Sequence, residues 1–205
     1  MHHLACLKFA FSPGQSYNVE KQRKRDTMQQ AEAFLTTRKE EETAYIGEIL
    51  GRILTKPLVV ALQGELGAGK TVFVRGAARG LGVEEAVTSP TFVLLKIYAG
   101  RLPVYHFDFY RLTDDEELLE LGFEEYLPGD GIAFIEWAER FPRLLPPGHL
   151  KIVIERFYDD HGEGRRLWFN PSGAAAARVV ETIMEAVTWQ TDGNLNMQPS
   201  GDPGT

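Results

Sequence analysis

At 205 residues, 43% of them apolar and 25% charged, the chain is long enough for one α/β core and has the composition of an ordinary soluble globular protein. A net charge of −7 argues against a protein that grips nucleic acid across a broad basic face, and a single cysteine, Cys6, excludes an internal disulfide and suits a cytoplasmic protein. No apolar run approaches the length of a membrane-spanning helix, and Asn170-Pro171-Ser172 is not a glycosylation acceptor, because proline occupies its middle position.

In chain order, Met1 to Lys24 carries no clear pattern. Leu4 to Phe11 is apolar but short, Lys8 interrupts it, and no convincing small-residue cleavage site follows, so it does not read as a signal peptide. Lys21 to Arg25 (KQRKR) reads as a solvated charge run in preference to a nucleic-acid or anionic-surface contact. Met28 opens a better-patterned stretch and is expected to be the natural start, with residues 1–30 a disordered extension, 31–188 the folded domain and 189–205 a disordered tail rich in Gly, Pro, Asn, Gln and Asp. Ala33 to Thr37 fits a short edge strand. Thr43 to Leu54 places Ile46, Ile49, Leu50, Ile53 and Leu54 at helical spacing, with Glu40, Glu41 and Glu42 at the end where negative charge is favoured and Lys56-Pro57 as its stop.

Leu58 to Gly82 organises the chain. Leu58 to Leu62 is an unbroken apolar run, the pattern of a buried parallel strand. Gly64-Glu65-Leu66-Gly67-Ala68-Gly69-Lys70-Thr71 then fits G-x-x-x-x-G-K-[ST] at every specified position, and Thr71 to Leu81 is a helix by spacing, with Gly80 and Gly82 in C-cap positions. Strand, glycine loop and helix together form a phosphate-binding loop. The glycines let backbone N–H groups turn inward, the helix adds the positive end of its dipole, Lys70 is expected at the β- and γ-phosphates, and the Thr71 hydroxyl at Mg²⁺.

Such a loop needs a second acidic ligand for the metal and a group that orients water or an acceptor. Val87 to Phe92 (VTSPTF) precedes a predicted strand, Val93 to Tyr98, and Ser89 or Thr91 there is placed to sense a γ-phosphate or simply to form a turn. Gly100-Arg101 marks a hairpin into a second strand, Leu102 to Tyr110 (LPVYHFDFY), in which His106 and Asp108 share one face. Asp108 among aromatics is costly to bury alone, so it is a candidate for the metal shell or for orienting water, or else it pairs with Arg111; His106 reads as a hydrogen-bonded structural histidine. Asp114 to Leu127 reads as a capped acidic helix, a turn at Gly122 and a second short helical piece, either a solvated face or a docking surface for a basic partner. Gly131 to Trp137 (GIAFIEW) is a buried strand delivering a carboxylate to the sheet's C-terminal edge, which makes Glu136 the candidate metal partner of Thr71, with Trp137 either in the core or over the nucleotide.

Leu150 to Phe157 and Arg165 to Phe169 read as a hairpin around Tyr158 to Gly164, and Ala174 to Val187 as a closing helix. Asp159-Asp160-His161-Gly162 matches the D-x-x-G of GTPases but lies in that turn, far downstream, and no N-K-x-D guanine-reading motif is present.

The sequences GELGAGKT, SPTF, YHFDFYRL, EELLELGFEEYL and IEW, in this order and at these separations, resemble the TsaE (YjeE) family of bacterial ATPases required for threonylcarbamoyladenosine in tRNA. The resemblance covers roughly Thr37 to Val187. It implies an α/β, three-layer P-loop NTPase with a mixed central sheet and flanking helices, slow hydrolysis of ATP with Mg²⁺, and a complex with the threonylcarbamoyl-transferase subunit and its inactive paralogue (TsaD/TsaB type), with tRNA touched only indirectly and no membrane. Carried over by position, Gly67, Ala68, Gly69, Lys70, Thr71 and Val72 form the phosphate cradle behind Gly64, Thr71 and Glu136 hold Mg²⁺, Asp108 is the aspartate of H-x-D-x-Y-R, and Glu41 falls near the family's N-terminal nucleotide contact. Lys70, Asp108 and Glu136 are the catalytic candidates. The family usually has a second threonine where Val72 stands, so one hydroxyl to the α-phosphate is lost while the backbone N–H remains. The competing readings are a small-molecule kinase, for which no clear arginine-rich lid is seen, and a nucleotide-gated adaptor with negligible turnover.

Overall fold

The computed structural model describes residues 33–187, apart from 115, 116, 119–121 and 128. The expected extension, the start at Met28, the tail and most of the acidic helix lie outside the described residues.

Seven strands form one sheet: β1 (Ala33–Thr37), β2 (Leu58–Gln63), β3 (Leu95–Tyr98), β4 (Val104–Asp108), β5 (Ile132–Glu136), β6 (Leu150–Asp159) and β7 (Gly162–Pro171). Their order is β1-β7-β6-β2-β5-β4-β3. The central four, β6-β2-β5-β4, run parallel; β3 joins antiparallel at one margin, and β7 then β1 at the other. This is the mixed sheet of a P-loop α/β fold. β2 and β5 are unbroken apolar runs because both their faces are covered. Val60, Leu62, Ile132 and Phe134 face α1 (Glu40–Ile53), α2 (Lys70–Gly80) and α3 (Ala174–Ala186), while Val59, Ala61, Ala133 and Ile135 meet Phe107, Phe109, Phe123 and Phe141 on the other side. That second face is covered by 3-10 turns at Phe123–Tyr126, Ala138–Arg140 and Pro142–Leu144, so the three long helices described share a single face.

α1 and α2 touch backbone to backbone. A Cβ on Gly47 would stand 2.2 Å from the Phe73 carbonyl oxygen, and one on Gly76 would stand 1.8 Å from that of Ala44. Gly51 and Gly80, one turn further along each helix, repeat the contact. Gly80 is therefore the last residue of α2, pressed against α1, and Gly82 (φ 82°) takes the left-handed turn beyond it. The seam clamps the helix that follows the glycine loop.

Several expected boundaries move, among them that of the second strand of the middle hairpin, which spans Val104–Asp108 rather than Leu102 to Tyr110. β3 starts at Leu95, because Leu94 adopts a φ of 65° and ends the preceding turn. The β6–β7 hairpin is longer than its composition suggests, ten residues on each strand with only Asp160 and His161 between them. Gly162 and Gly164, which read as turn residues, lie in the ladder; the Phe157 ring covers Gly164 and leaves no room there for a side chain. At the hairpin tip Arg38 donates from both terminal nitrogens to Asp159, at 2.8 and 2.5 Å, and ties the β1–α1 junction to β6.

Two outcomes follow for stability. Gly76→Ala should gain about 1 kcal/mol from helix propensity but meets a carbonyl at 1.8 Å, and overpacking of this kind costs about 1–3 kcal/mol or more; denaturant unfolding should therefore show net destabilisation. The Arg38 hydrogen bonds hold the Asp159 carboxyl down at about 2, against an ordinary 3.8. A carboxyl lowered in the folded state stabilises above its unfolded value and loses that contribution as pH falls through the folded one. The stability advantage of wild type over Asp159→Asn, measured by urea unfolding, should be intact at pH 5 and fade between pH 3.8 and about 2.

Candidate functional site

Parallel register assembles the site. β5 pairs with β2 so that Glu136 lies beside Leu62, and with β4 so that Glu136 lies beside Asp108. One row across the C-terminal edge of the sheet thus holds the exit to the glycine loop and two carboxylates, where doubly wound sheets place their ligands. A cleft of about 360 Å³ opens there, bordered by the loop (Leu66, Gly67, Gly69), the first turn of α2 (Lys70, Thr71, Val72) and the carboxylates of Asp108 and Glu136.

The loop turns into α2 through Gly69, whose φ of 109° suits glycine and aims the first N–H groups of the helix, which have no intrahelical acceptor, into the cleft. Ala68 is fully buried behind the loop. Lys70 is only 4% exposed; its ammonium donates to the Gly64 and Glu65 carbonyls at 2.6 and 3.0 Å and sits 3.8 Å from the centre of the Trp137 ring. Burial pushes the Lys70 ammonium below its ordinary range, opposed by the negative charges of Glu136, Glu139, Asp108 and Glu65. Trp137 reaches this position from a left-handed conformation (φ 60°), uncommon for a bulky residue, and packs on Tyr110 with ring centres 4.9 Å apart. Trp137 is partly buried against the apolar cluster of Phe107, Phe109 and Phe141 and at the same time borders the cleft over Lys70.

Thr71 Oγ donates to both Glu136 oxygens, at 2.8 Å (Oε1) and 3.1 Å (Oε2). His106, fully buried, meets Oε1 through Nε2 at 2.8 Å. Asp108 does not pair with Arg111, whose guanidinium lies over Phe92. Its Oδ2 instead accepts from Ser89 at 3.2 Å and from Thr91, and its Oδ1 from the Tyr110 amide at 2.9 Å. The Ser-Pro-Thr-Phe loop is thereby fastened to β4, and Lys96 secures its start through Thr88.

Thr71 and Glu136 offer hard oxygens side by side at the cleft, and no cluster of three or more His, Cys, Asp or Glu able to hold a metal occurs among the described residues. That donor set fits Mg²⁺, which takes the rest of its octahedron from water and phosphate. Of the remaining candidates, Gly64 serves through its carbonyl, and Glu41 lies exposed in the first turn of α1, where Glu40 rather than Glu41 borders the cleft.

Arg165 was not singled out by sequence. Its Nε lies 3.5 Å from the point where a Cβ on Gly69 would stand, and it is buried without a hydrogen-bond partner among the described residues. An adjacent pair of arginines in a strand gives no local sign of this, because the hairpin fold brings Arg165 to the loop. Arg156, the cross-strand partner of Arg165 on β6, donates to Glu65 of the loop at 2.7 Å.

A family model described as "Threonylcarbamoyl adenosine biosynthesis protein TsaE" matches residues 37–166. The chain is 45% identical over 127 residues to the tRNA threonylcarbamoyladenosine biosynthesis protein TsaE of Treponema pallidum, covering 62% of this chain and 94% of that one. It is 41% identical over 172 residues to the Rickettsia felis protein of the same name, covering 83% and 96%. A crystal structure of YdiB from Bacillus subtilis superposes with a TM-score of 0.65 at 34% identity, covering 76% of this chain and 95% of that chain.

A guanidinium with an unused buried N–H beside a phosphate loop should contribute a charge-assisted hydrogen bond to a bound polyphosphate, worth about 1.5–3 kcal/mol. Arg165→Ala is expected to weaken ADP or ATP binding about 10- to 100-fold by calorimetry while leaving the far-ultraviolet circular dichroism unchanged.

Proposed function

The chain belongs to the TsaE family of tRNA threonylcarbamoyladenosine biosynthesis, of P-loop NTPase type, and from that premise we propose that it is a Mg²⁺-dependent ATPase acting in this modification of tRNA. The observation that carries the reading is the Thr71–Glu136 pair beside a buried Lys70 at the mouth of the glycine loop. Adenine is favoured over guanine because the sequence lacks N-K-x-D, and its D-x-x-G lies in a hairpin whose Asp159 is committed to Arg38.

The loop N–H groups and the N-terminal end of α2 bind the phosphates, and Lys70 turns from its two carbonyls to the β- and γ-oxygens. Thr71 and Glu136 would hold magnesium, whose chemistry there would be to neutralise negative charge on the phosphates. Asp108, with the Ser89 and Thr91 hydroxyls gathered on it, borders the cleft and orients the attacking water. The water oxygen bonds to the γ-phosphorus as the bond to the β–γ bridging oxygen breaks; ADP leaves with the electron pair, and the water's protons are shared between the released phosphate and solvent.

The expected partners are the threonylcarbamoyl-transferase subunit and its inactive paralogue, with tRNA engaged only through them, in the cytoplasm. No helix among the described residues is long and apolar enough to cross a membrane. One observation favours a second reading, a nucleotide-gated adaptor: Phe92 is 86% exposed on the loop that Asp108 fastens, so the nucleotide state is within reach of a docking surface.

Phosphate release measured with and without the two partner proteins separates the readings. The ATPase reading expects turnover that rises with the partners and falls at least 100-fold in Lys70→Ala and Glu136→Ala, the scale on which loss of one electrostatic group acts (~10²–10³). Binding of Mg-ATP with no phosphate released, even with both partners present, would establish the adaptor instead.

A further inference from the structure

We propose that His106 is the positioning residue of the metal site, orienting the Glu136 carboxylate for magnesium. The inference rests on the nucleotide-binding reading above.

Glu136 is 3% exposed and His106 fully buried, so neither uses water to satisfy its polar atoms. β4 and β5 run parallel with His106 opposite Phe134 and Asp108 opposite Glu136. His106 is thus one pleat below Glu136 on the neighbouring strand, on the same face of the sheet, and its ring reaches up to Oε1 at 2.8 Å. An ionised carboxylate only accepts, so the proton of this bond belongs to Nε2 of the histidine. Nδ1 is buried with no partner among the described residues, which suits a nitrogen that presents only a lone pair. The one polar function the ring performs in the fold is therefore to hold Oε1.

The need for such a hold follows from the residue that carries the acid. Glutamate has one more rotatable bond than the aspartate usual at this place in P-loop proteins, and a longer side chain loses more freedom when fixed. With Oε1 taken by Nε2 and by Thr71 at 2.8 Å, Oε2, which has only the longer 3.1 Å contact to Thr71, is the oxygen left free for a cation. Partners of metal-binding carboxylates act in this way, and their loss typically lowers metal affinity about 10- to 100-fold. The same bond explains why a buried histidine is tolerated on an inner strand of the sheet, where an apolar residue would pack without any unpaired nitrogen.

The test uses two variants. His106→Leu fills the space and removes the donor; His106→Gln returns an amide N–H near the Nε2 position. Binding of a fluorescent ADP analogue is measured in EDTA and then as a function of Mg²⁺ concentration, with thermal melting of each apoprotein. The expected result is about 10- to 100-fold more Mg²⁺ needed for half-maximal metal-dependent binding in His106→Leu, unchanged binding in EDTA, and recovery of most of the loss in His106→Gln. A Mg²⁺ midpoint in a folded His106→Leu equal to that of wild type overturns the proposal. So does equal weakening of binding in EDTA and in Mg²⁺, or a His106→Gln protein no better than His106→Leu, since either is what a purely structural histidine predicts. If His106→Leu does not fold, the His106→Gln protein decides: a wild-type midpoint supports the positioning role, and a shift matched by equal loss in EDTA overturns it. Wild type that shows no Mg²⁺-linked nucleotide binding at all would instead overturn the functional reading on which this rests.

Discussion

A carboxylate buried at the end of an enclosed strand is the constraint on which the site depends. Glu136 ends β5, the strand enclosed on both sides, and water cannot repay the cost of desolvating its charge. Its partners must come from the protein: the Thr71 hydroxyl from the first turn of α2 and His106 from β4. Each of those bonds ties a separate element to the same two oxygens. The glycine loop, the helix behind it and the neighbouring strand therefore share one reference point.

The α1–α2 seam supplies the rigidity. Helices that meet with glycine Cα atoms against the carbonyls of Phe73, Ala44, Ala77 and Glu48, rather than through side chains, cannot slide without collision, so α2, and with it Lys70 and Thr71, stays fixed against α1. α1 in turn carries Thr43, buried and bonded to Thr37 at the end of β1, close behind Gly69. The phosphate loop is thus backed by closely packed backbone on one side and by the Arg156–Glu65 pair on the other. Against this frame the Ser-Pro-Thr-Phe loop is held differently, by hydroxyl bonds to Asp108 at the rim of the cleft, with Phe92 and Val93 left outside. The loop is therefore joined to the sheet through side-chain hydroxyls, whereas the α1–α2 seam is backbone against backbone.

Local chemistry made most of this legible in the sequence. The spacing of Gly64, Gly67, Gly69, Lys70 and Thr71 after an apolar strand specifies a phosphate loop, because few other residue types permit those dihedral angles and that approach. The period of apolar residues identified β2, α1, α2 and α3, and the acid closing GIAFIEW identified Glu136, since a run enclosed on both faces must end at a sheet edge. The order of motifs also carried the family, as the match over residues 37–166 shows.

Only the tertiary structure decided what depends on non-local pairing. Strand register brought His106 under Glu136 and set Asp108 against Ser89 and Thr91 rather than Arg111. The hairpin of two ten-residue strands carried Arg165 to Gly69, a contact between residues 96 positions apart, and absorbed glycines that locally read as a turn. The left-handed turn at Trp137 put an indole over Lys70. Sequence determines which side chains and dihedral angles are available. Which of them meet across a sheet is set by register and by the closeness of helix packing, which short windows of sequence do not encode.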